Sequence, residues 1–196
     1  MKLSKIEKWS MNRPLHAEQV INLARKLLNF VNVGEGKNLL EIGCGYGTAS
    51  RYIAKKYQLY VTAIDLDLEL IRPARKNNAD IPNLGLLEAD ATRLPFQDND
   101  FDIVLSIQVM HHIPNWLSAL REIKRVLKPK GYLLYVDMLW PKLLAKIGKS
   151  FKHPFGVTTL QDLNKFVEEN NFSTIHSSSS RSLVIFDHYE AVYQKD

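Results

Sequence analysis

Residues 39–47, Leu-Leu-Glu-Ile-Gly-Cys-Gly-Tyr-Gly, are the part of the chain that decides the fold. An apolar run that carries one acidic residue, Glu41, ends in three glycines at alternate positions, and a helical pattern follows at residues 48–57. Glycine has no Cβ, so it tolerates a positive φ and lets the backbone approach a ligand closely. The stretch therefore predicts a buried strand, a tight turn and a helix, the arrangement in which α/β folds hold cofactors.

The composition is that of one globular domain. The 196 residues are 45% hydrophobic, and 26 basic against 21 acidic side chains give a formal net charge of +5. The basic residues are spread along the chain, so we interpret most of them as a solvated surface. One cysteine, Cys44, excludes an internal disulfide. No apolar run reaches the length of a membrane span and the first residues lack the core of a signal peptide, so we expect a cytoplasmic protein.

Strands and helices alternate over the first two thirds of the chain. Helical spacing is found at residues 14–31, 48–57 and 67–78 and after Pro114. Strand patterns lie at residues 38–42, 59–64, 84–87, 101–107 and 132–136. This alternation predicts a parallel sheet covered by helices on both faces. Beyond it we expect an amphipathic segment at 138–151, a helix at 158–170, and two closing strands at 172–177 and 182–186, joined by a turn at the serines 177–180.

Carboxylates stand at the predicted ends of the first three strands, as Glu41, Asp65 and Asp90. Asp65 follows Gly43 by 22 residues, the separation that lets it accept hydrogen bonds from ribose hydroxyls, so it implies a nucleoside. The phosphate-binding patterns are missing, because Thr48 stands where a dinucleotide fingerprint needs glycine and no Gly-Lys-Ser/Thr is present. Glu41 would repel a pyrophosphate but suits a cationic ligand. A nucleoside with a cationic tail and no phosphate is S-adenosylmethionine.

Five motifs follow one another in order: residues 39–47, Ala-Ile-Asp-Leu-Asp at 63–67, Glu-Ala-Asp-Ala-Thr-Arg-Leu-Pro-Phe at 88–96, and residues 101–112 and 120–132. On these the chain resembles the class I S-adenosylmethionine-dependent methyltransferases, near the small-molecule group (type 11) of the ubiquinone and menaquinone C-methyltransferases. The resemblance implies a doubly wound, mostly parallel seven-stranded sheet with helices on both faces and an antiparallel last strand. It also implies a single domain over residues 1–196, with a lid at 1–30, a cofactor-binding core at 37–137 and a substrate-side insert at 138–157.

The resemblance assigns a set of cofactor-binding residues: Glu41, Gly43, Cys44, Gly45, Gly47, Asp65, Leu66, Asp90, Ala91 and Ser106. The glycine backbone would pack against the methionine part of the cofactor, and Glu41 would orient it. Asp65 would hold the ribose hydroxyls, Leu66 would lie against the adenine, and Asp90 would accept a hydrogen bond from its amino group. Cys44 is interpreted as a packing residue rather than a nucleophile.

The acceptor side is less defined. His111, after the fourth strand, is a candidate general base, and the alternative is that it caps or packs the helix near Pro114. The candidate substrate contacts are Trp9, Arg13, His16, Gln108 and Trp140. For the N-terminal ones, the alternative to a lid over the site is a frayed chain end. We assign no metal site, because adjacent histidines point in different directions.

The sequence thus predicts an enzyme that transfers a methyl group from S-adenosylmethionine to a small molecule by in-line displacement, leaving S-adenosylhomocysteine. The alternatives are an RNA or protein methyltransferase, an aminopropyltransferase and a catalytically silent cofactor-binding module. Nucleic acid is not the favoured partner, because residues 106–109 read Ser-Ile-Gln-Val instead of the Asp/Asn-Pro-Pro-Tyr/Phe of amino-methyltransferases. We expect a monomer or a homodimer.

Overall fold

The apolar runs of the sequence form one seven-stranded sheet in the computed structural model, which describes residues 13–141, 145, 156–181 and 187–196. The strands are β1 (Asn38–Ile42), β2 (Tyr60–Asp65), β3 (Leu84–Glu88), β4 (Phe101–Ile107), β5 (Leu127–Leu139), β6 (Phe172–Arg181) and β7 (Asp187–Lys195). Their order in the sheet is β3-β2-β1-β4-β5-β7-β6. Strands β1 to β5 pair in parallel, and β7 is antiparallel to both β5 and β6. The predicted topology is confirmed, including the antiparallel last strand.

Helices cover both faces of this sheet. They are α1 (Pro14–Leu28), α2 (Thr48–Tyr57), α3 (Leu68–Asn77), α4 (Trp116–Val126) and α5 (Leu160–Glu169). Along β4, Ile103 and Leu105 are buried in the core beneath α1 and α2, whereas Val104 is buried in the core beneath α4 and α5. Because both faces of β4 are covered, its sequence is a nearly continuous apolar run. In the described part of the chain, no helix is long and apolar enough to cross a membrane.

The C-terminal strands differ from the prediction. Residues 177–180, predicted as a turn, belong to β6, where Ser177 lies opposite Ala191 and Ser180 opposite His188. Strand β6 is at the edge of the sheet and these serine side chains are exposed. The strand at residues 177–180 therefore forms through backbone pairing with β7, and its exposed side chains need not be apolar. The pairing strand is β7, which the sequence analysis did not identify.

Several expectations fall on residues that the structure does not describe. These residues are 1–12, with the candidate substrate contact Trp9, most of the insert at 142–155, and the predicted strand 182–186. The first residues of the predicted insert, Met138 and Leu139, complete β5, which begins earlier and ends later than expected.

The chain connections place a crevice between β1 and β4. Helix α2 follows β1 and packs on one face, whereas α4 follows β4 and packs on the other. The loops after β1 and β4 therefore run to opposite faces of the sheet and leave a crevice between them. Open α/β sheets bind ligands in such a crevice.

Gly43, the first residue after β1, lies where the loop after β1 packs closely against the loop after β4. Its φ is +71°, and an added Cβ would lie 2.3 Å from Cγ2 of Val109 in the loop after β4. Gly36 is a matched control, because its φ is +75° and nothing lies within 4 Å of an added Cβ. We expect Gly36→Ala to lower the free energy of unfolding by about 1 kcal/mol, the cost of a left-handed backbone, and Gly43→Ala by at least about 2 kcal/mol more.

Urea unfolding of the two variants and the parent measures this difference. Equal losses in the two variants would show that Val109 moves aside freely and that the contact does not constrain the loop.

Candidate active site

A pocket of about 510 Å³ opens at the carboxyl ends of the parallel strands, and this volume suits a small-molecule ligand. Its wall consists of His16, Val20, Glu41, Ile42, Gly43, Cys44, Tyr46, Thr48, Ala49, Ile64, Asp65, Leu66, Ala89, Asp90, Ala91, Thr92, Ile107, Gln108, Val109, His111, His112, Ile113, Pro114, Asn115 and Met138. The wall thus combines the loops after β1, β2, β3 and β4 with helix α1 and the end of β5.

Most of the residues selected from the sequence meet in this wall. They are Glu41, Gly43, Cys44, Asp65, Leu66, Asp90, Ala91, His16, Gln108 and His111. Gly45, Gly47, Ser106, Arg13 and Trp140 are not part of it. The cofactor contacts assigned to Gly45, Gly47 and Ser106 stay predictions, and these three residues lie beside the wall.

Asp65, the last residue of β2, explains the position of Gly45. Its Oδ2 accepts a hydrogen bond of 2.9 Å from the Gly45 amide, and its Oδ1 accepts one of 2.9 Å from the Asp67 amide. Gly45 thus turns its N–H toward Asp65. Burial raises the pKa of Asp65, and the hydrogen bonds from these amides oppose the rise. Each carboxylate oxygen has a second lone pair with which to accept a hydrogen bond from a ligand.

Gly47 and Ser106 have structural positions next to the wall. Gly47 is the N-terminal cap of α2 with a φ of +73°, and an added Cβ would lie 3.2 Å from Cδ2 of Leu86. Ser106 is fully buried near the end of β4, and its Oγ has no hydrogen-bond partner in the described structure. Cys44 is buried too, beside Ala63, and burial raises the pKa of its thiol. A neutral, buried thiol agrees with the interpretation of Cys44 as a packing residue.

The loops after β2 and β3 present one apolar and one charged group at the pocket. Leu66 is 41% exposed, a large fraction for a leucine side chain, and Ala91 is buried. Asp90 accepts hydrogen bonds of 2.8 Å at Oδ1 from both the amide and the hydroxyl of Thr92. This turn fixes the Asp90 carboxylate at the wall. A flat ring with an amino group would find an apolar surface and an acceptor there.

Glu41 is a buried acid in the floor of the pocket. Its side chain accepts a hydrogen bond from the Ser50 hydroxyl, and the residue is 5% exposed. Burial raises the pKa of Glu41 to about 7, with a further contribution from the negative charge of Asp65. With Asp90, the wall has three carboxylic acids, and no lysine or arginine of the described chain is part of it. The pocket therefore favours a neutral or cationic ligand.

His111 is held by a carboxylate that the sequence analysis missed. It lies in a single 3-10 turn, Met110–His112, and its Nδ1 contacts Oδ1 of Asp137 near the end of β5. The Asp137 carboxylate is 1% exposed and accepts two further hydrogen bonds, at 3.1 Å from the His111 amide and at 2.7 Å from the Met138 amide. An acidic residue directly after the predicted strand 132–136 was the available signal, since that strand ends at the same edge of the sheet.

The candidate substrate contacts separate into two places. Gln108 is in the pocket wall. Its φ is +54°, an uncommon backbone conformation for this residue, and its backbone N–H donates a hydrogen bond of 2.7 Å to the Val136 carbonyl. His16, on α1, is also in the wall, and burial lowers its pKa. Arg13 is exposed before α1. Trp140 lines a different cavity, together with Leu160.

The pKa of Glu41 makes stability depend on pH. The folded chain binds this proton more tightly than an unfolded chain, for which the ordinary value is 4.5. Protonation of Glu41 therefore contributes fully to the free energy of unfolding below about pH 4.5, and this contribution is lost as the pH rises to 7. We expect Glu41→Gln to remove this loss, about 3 kcal/mol, from the ligand-free protein.

Thermal or urea unfolding at pH 5 and pH 8 measures this effect. Glu169→Gln is the control, because the Glu169 side chain is 63% exposed and paired with Lys165. A Glu41→Gln variant with the same pH dependence as the parent would contradict the assignment.

Comparison with known proteins supports a methyltransferase domain in this chain. Residues 40–135 match the model of a methyltransferase domain family. The phthiotriol/phenolphthiotriol dimycocerosates methyltransferase of Mycobacterium tuberculosis is 34% identical over 134 residues, which cover 65% of this chain and 49% of that protein. The fatty-acid O-methyltransferase of Mycolicibacterium smegmatis is 39% identical over 104 residues, which cover 53% of this chain and 38% of that protein. The alignments thus span about half the length of these relatives or less.

A solved structure of a geranyl diphosphate methyltransferase in complex with S-adenosylmethionine has the same fold, with a TM-score of 0.76 at 12% identity. The alignment covers 94% of this chain and 92% of that one. At this identity the likeness concerns the fold alone. The family match, the relatives and the topology of the sheet together support a class I S-adenosylmethionine-dependent methyltransferase domain of the type 11 group at residues 40–135.

Proposed function

We propose that this chain transfers a methyl group from S-adenosylmethionine to a small-molecule acceptor. The observation that carries the proposal is the position of Asp65, a carboxylate at the end of β2 that faces the pocket and also fixes the glycine loop after β1. Such a carboxylate is suited to bind the two hydroxyls of a ribose. When bound, S-adenosylmethionine supplies a methyl group activated by its positively charged sulfur.

The residues of the pocket fit this cofactor. Three acids stand in the wall without a described lysine or arginine, which suits a cation and opposes a phosphate. We propose that Asp65 binds the ribose, that Asp90 and Leu66 contact the adenine, and that Glu41 orients the amino-acid end. Gly43 has no side chain, so the backbone can approach the ligand there.

The chain's own contribution is alignment and exclusion of water. The cofactor brings its own activated group, so the protein has to hold the acceptor atom in line with the methyl group. We propose that Gln108 and His111 contact the acceptor, because both lie in the loop after β4 and are part of the pocket wall. His16 and Val20 of α1 contribute to the same wall, which supports a lid formed by residues 1–30.

A small-molecule acceptor agrees with the relatives, whose names describe methylation of phthiotriols and of a fatty acid. We extend the class, but not these substrates, to this chain. We further propose that residues 138–157 are the substrate-side insert of a single domain, in a monomer or a homodimer.

Asp65→Asn tests the proposed cofactor site. We expect S-adenosylhomocysteine to bind the parent in calorimetry and the variant to bind about 10- to 100-fold more weakly, because hydrogen bonds to a charged group are lost. Asp80→Asn is the control, since the Asp80 side chain is 66% exposed, pairs with Lys55 at 3.4 Å and lies outside the pocket wall. Its affinity should equal that of the parent.

A dideoxy analogue separates ribose binding from a disturbed loop. S-adenosylhomocysteine without its two ribose hydroxyls should bind the parent weakly and should lose little more affinity in Asp65→Asn. The proposal fails if S-adenosylmethionine and S-adenosylhomocysteine both leave the parent unbound at millimolar concentration. The ribose assignment fails if Asp65→Asn binds the intact ligand as the parent does.

A further inference from the structure

The contact between His111 and Asp137 fixes the direction of the imidazole ring. Asp137 contacts Nδ1 of His111, so the other ring nitrogen, Nε2, lies on the side of the ring opposite Asp137. His111 is part of the pocket wall, its side chain is 17% exposed, and Nε2 has no hydrogen-bond partner in the described structure. When Asp137 is a carboxylate, it accepts a hydrogen bond from the Nδ1–H of a neutral His111, and Nε2 then carries a lone pair.

We propose that His111 is the base that removes a proton from the acceptor, that Asp137 positions it, and that the acceptor atom is the oxygen of a neutral hydroxyl group. This inference rests on the proposed methyl transfer and adds the chemical class of the acceptor to it.

Asp137 is placed to serve a proton transfer. Its carboxylate is almost fully buried and is held by the amides of His111 and Met138. No lysine or arginine of the described chain makes an ion pair with it. The charge that would compensate this buried carboxylate is the imidazolium that forms when His111 takes a proton.

The charges of the wall indicate which acceptor needs that base. A carboxylate acceptor arrives ionised, needs no base, and would meet Glu41, Asp65 and Asp90 without a described lysine or arginine to bind it. An ammonium group would bring a second positive charge beside the cationic cofactor, and a neutral amine is nucleophilic without a base. A neutral hydroxyl, however, becomes a good nucleophile only as its proton leaves.

The transfer step balances with the groups named. The hydroxyl proton moves to Nε2 of His111 while the acceptor oxygen forms a bond to the methyl carbon. The bond between that carbon and sulfur breaks, and its electron pair stays on sulfur, which becomes the neutral thioether of S-adenosylhomocysteine. The products are a methyl ether and an imidazolium paired with Asp137, and the imidazolium returns its proton to water after the ether leaves.

The pH dependence of this step involves other titratable groups. The ring of His112 lies against the ring of His111, with centroids 4.0 Å apart and planes tilted by 42°, and Asp137 contacts His111 from β5. The other titratable side chains of the wall are His16, Glu41, Cys44, Tyr46, Asp65 and Asp90. Replacement of His111 itself is therefore needed to assign any part of a pH profile to it.

The test uses acceptor probes of matched size: hexadecanol, hexadecylamine and palmitate, and a 4-alkylphenol with its ionised 2-nitro derivative. We expect methylation of hexadecanol or the alkylphenol. His111→Gln should lower kcat for these hydroxyls about 100-fold or more, with less effect on the nitrophenolate, which has already lost its proton. His176→Gln is the control, because this histidine also faces a carboxylate, Glu190 at 3.4 Å, but lies outside the pocket wall.

Two measurements distinguish a role of Asp137 in positioning His111 from a role in stabilising the fold. For hydroxyl probes, kcat of the parent should fall at acidic pH, and Asp137→Asn should move this fall to lower pH because the imidazolium loses its counter-charge. Nitrogen NMR of the S-adenosylhomocysteine complex should show His111 protonated at Nδ1 in the parent and a different tautomer in Asp137→Asn.

Several outcomes would overturn the inference: methylation of palmitate or hexadecylamine without any hydroxyl, no methylation of the hydroxyl probes, an unchanged kcat in His111→Gln, or a parent His111 protonated at Nε2. If S-adenosylhomocysteine still binds in these cases, only the acceptor class and the base are wrong. If it does not bind, the proposed function itself has failed.

Discussion

The hydrogen bond from the Gly45 amide to the Asp65 carboxylate, 2.9 Å long, joins the loop after β1 to the end of β2. The rest of the pocket depends on it, because the loop has to turn through positive φ angles at Gly43, Gly45 and Gly47 before α2 can begin. A carboxylate that orients the loop and also faces the pocket couples the local backbone to ligand binding. The same side chain therefore stabilises the turn and, in the proposed function, binds the ribose of the ligand.

The electrostatics of the site follow from burial. Glu41 and Asp65 are both partly deprived of water, so each prefers its neutral form more than an exposed acid would. A bound cation would compensate their charge, which gives the protein a reason to keep acids at a cost in stability. Asp137 uses the same principle on the acceptor side, where His111 is the only described side chain that can pair with it. Glu41, Asp65 and Asp137 are thus buried or half-buried acids, which the proposed function would pair with positive charges.

The sequence predicts the donor side better than the acceptor side, for physical reasons. Strands β1 and β4 and helix α2 have the predicted bounds, because burial on both faces and the glycine turn mark them clearly. The carboxylates at strand ends share one edge of a parallel sheet, so their meeting is predictable without coordinates. Gly45 lies outside the wall because of its hydrogen bond to Asp65, and Gly47 because it caps α2, and residue spacing shows neither. Ser106 lies outside the wall because it is fully buried within β4. The partnership of His111 with Asp137 joins residues 26 positions apart and depends on the packing of a 3-10 turn against β5. Residues 177–180 were wrongly predicted as a turn, because the exposed face of an edge strand does not need apolar residues.

The central claim is that the pocket at the carboxyl ends of β1, β2 and β4 binds S-adenosylmethionine, with Asp65 on the ribose. A crystal structure with S-adenosylhomocysteine tests it most directly. The account predicts both ribose hydroxyls within hydrogen-bond distance of the Asp65 carboxylate, the adenine beside Leu66 and Asp90, and the sulfur directed toward Gln108 and His111. A nucleoside bound elsewhere, or bound with its ribose away from Asp65, would contradict it.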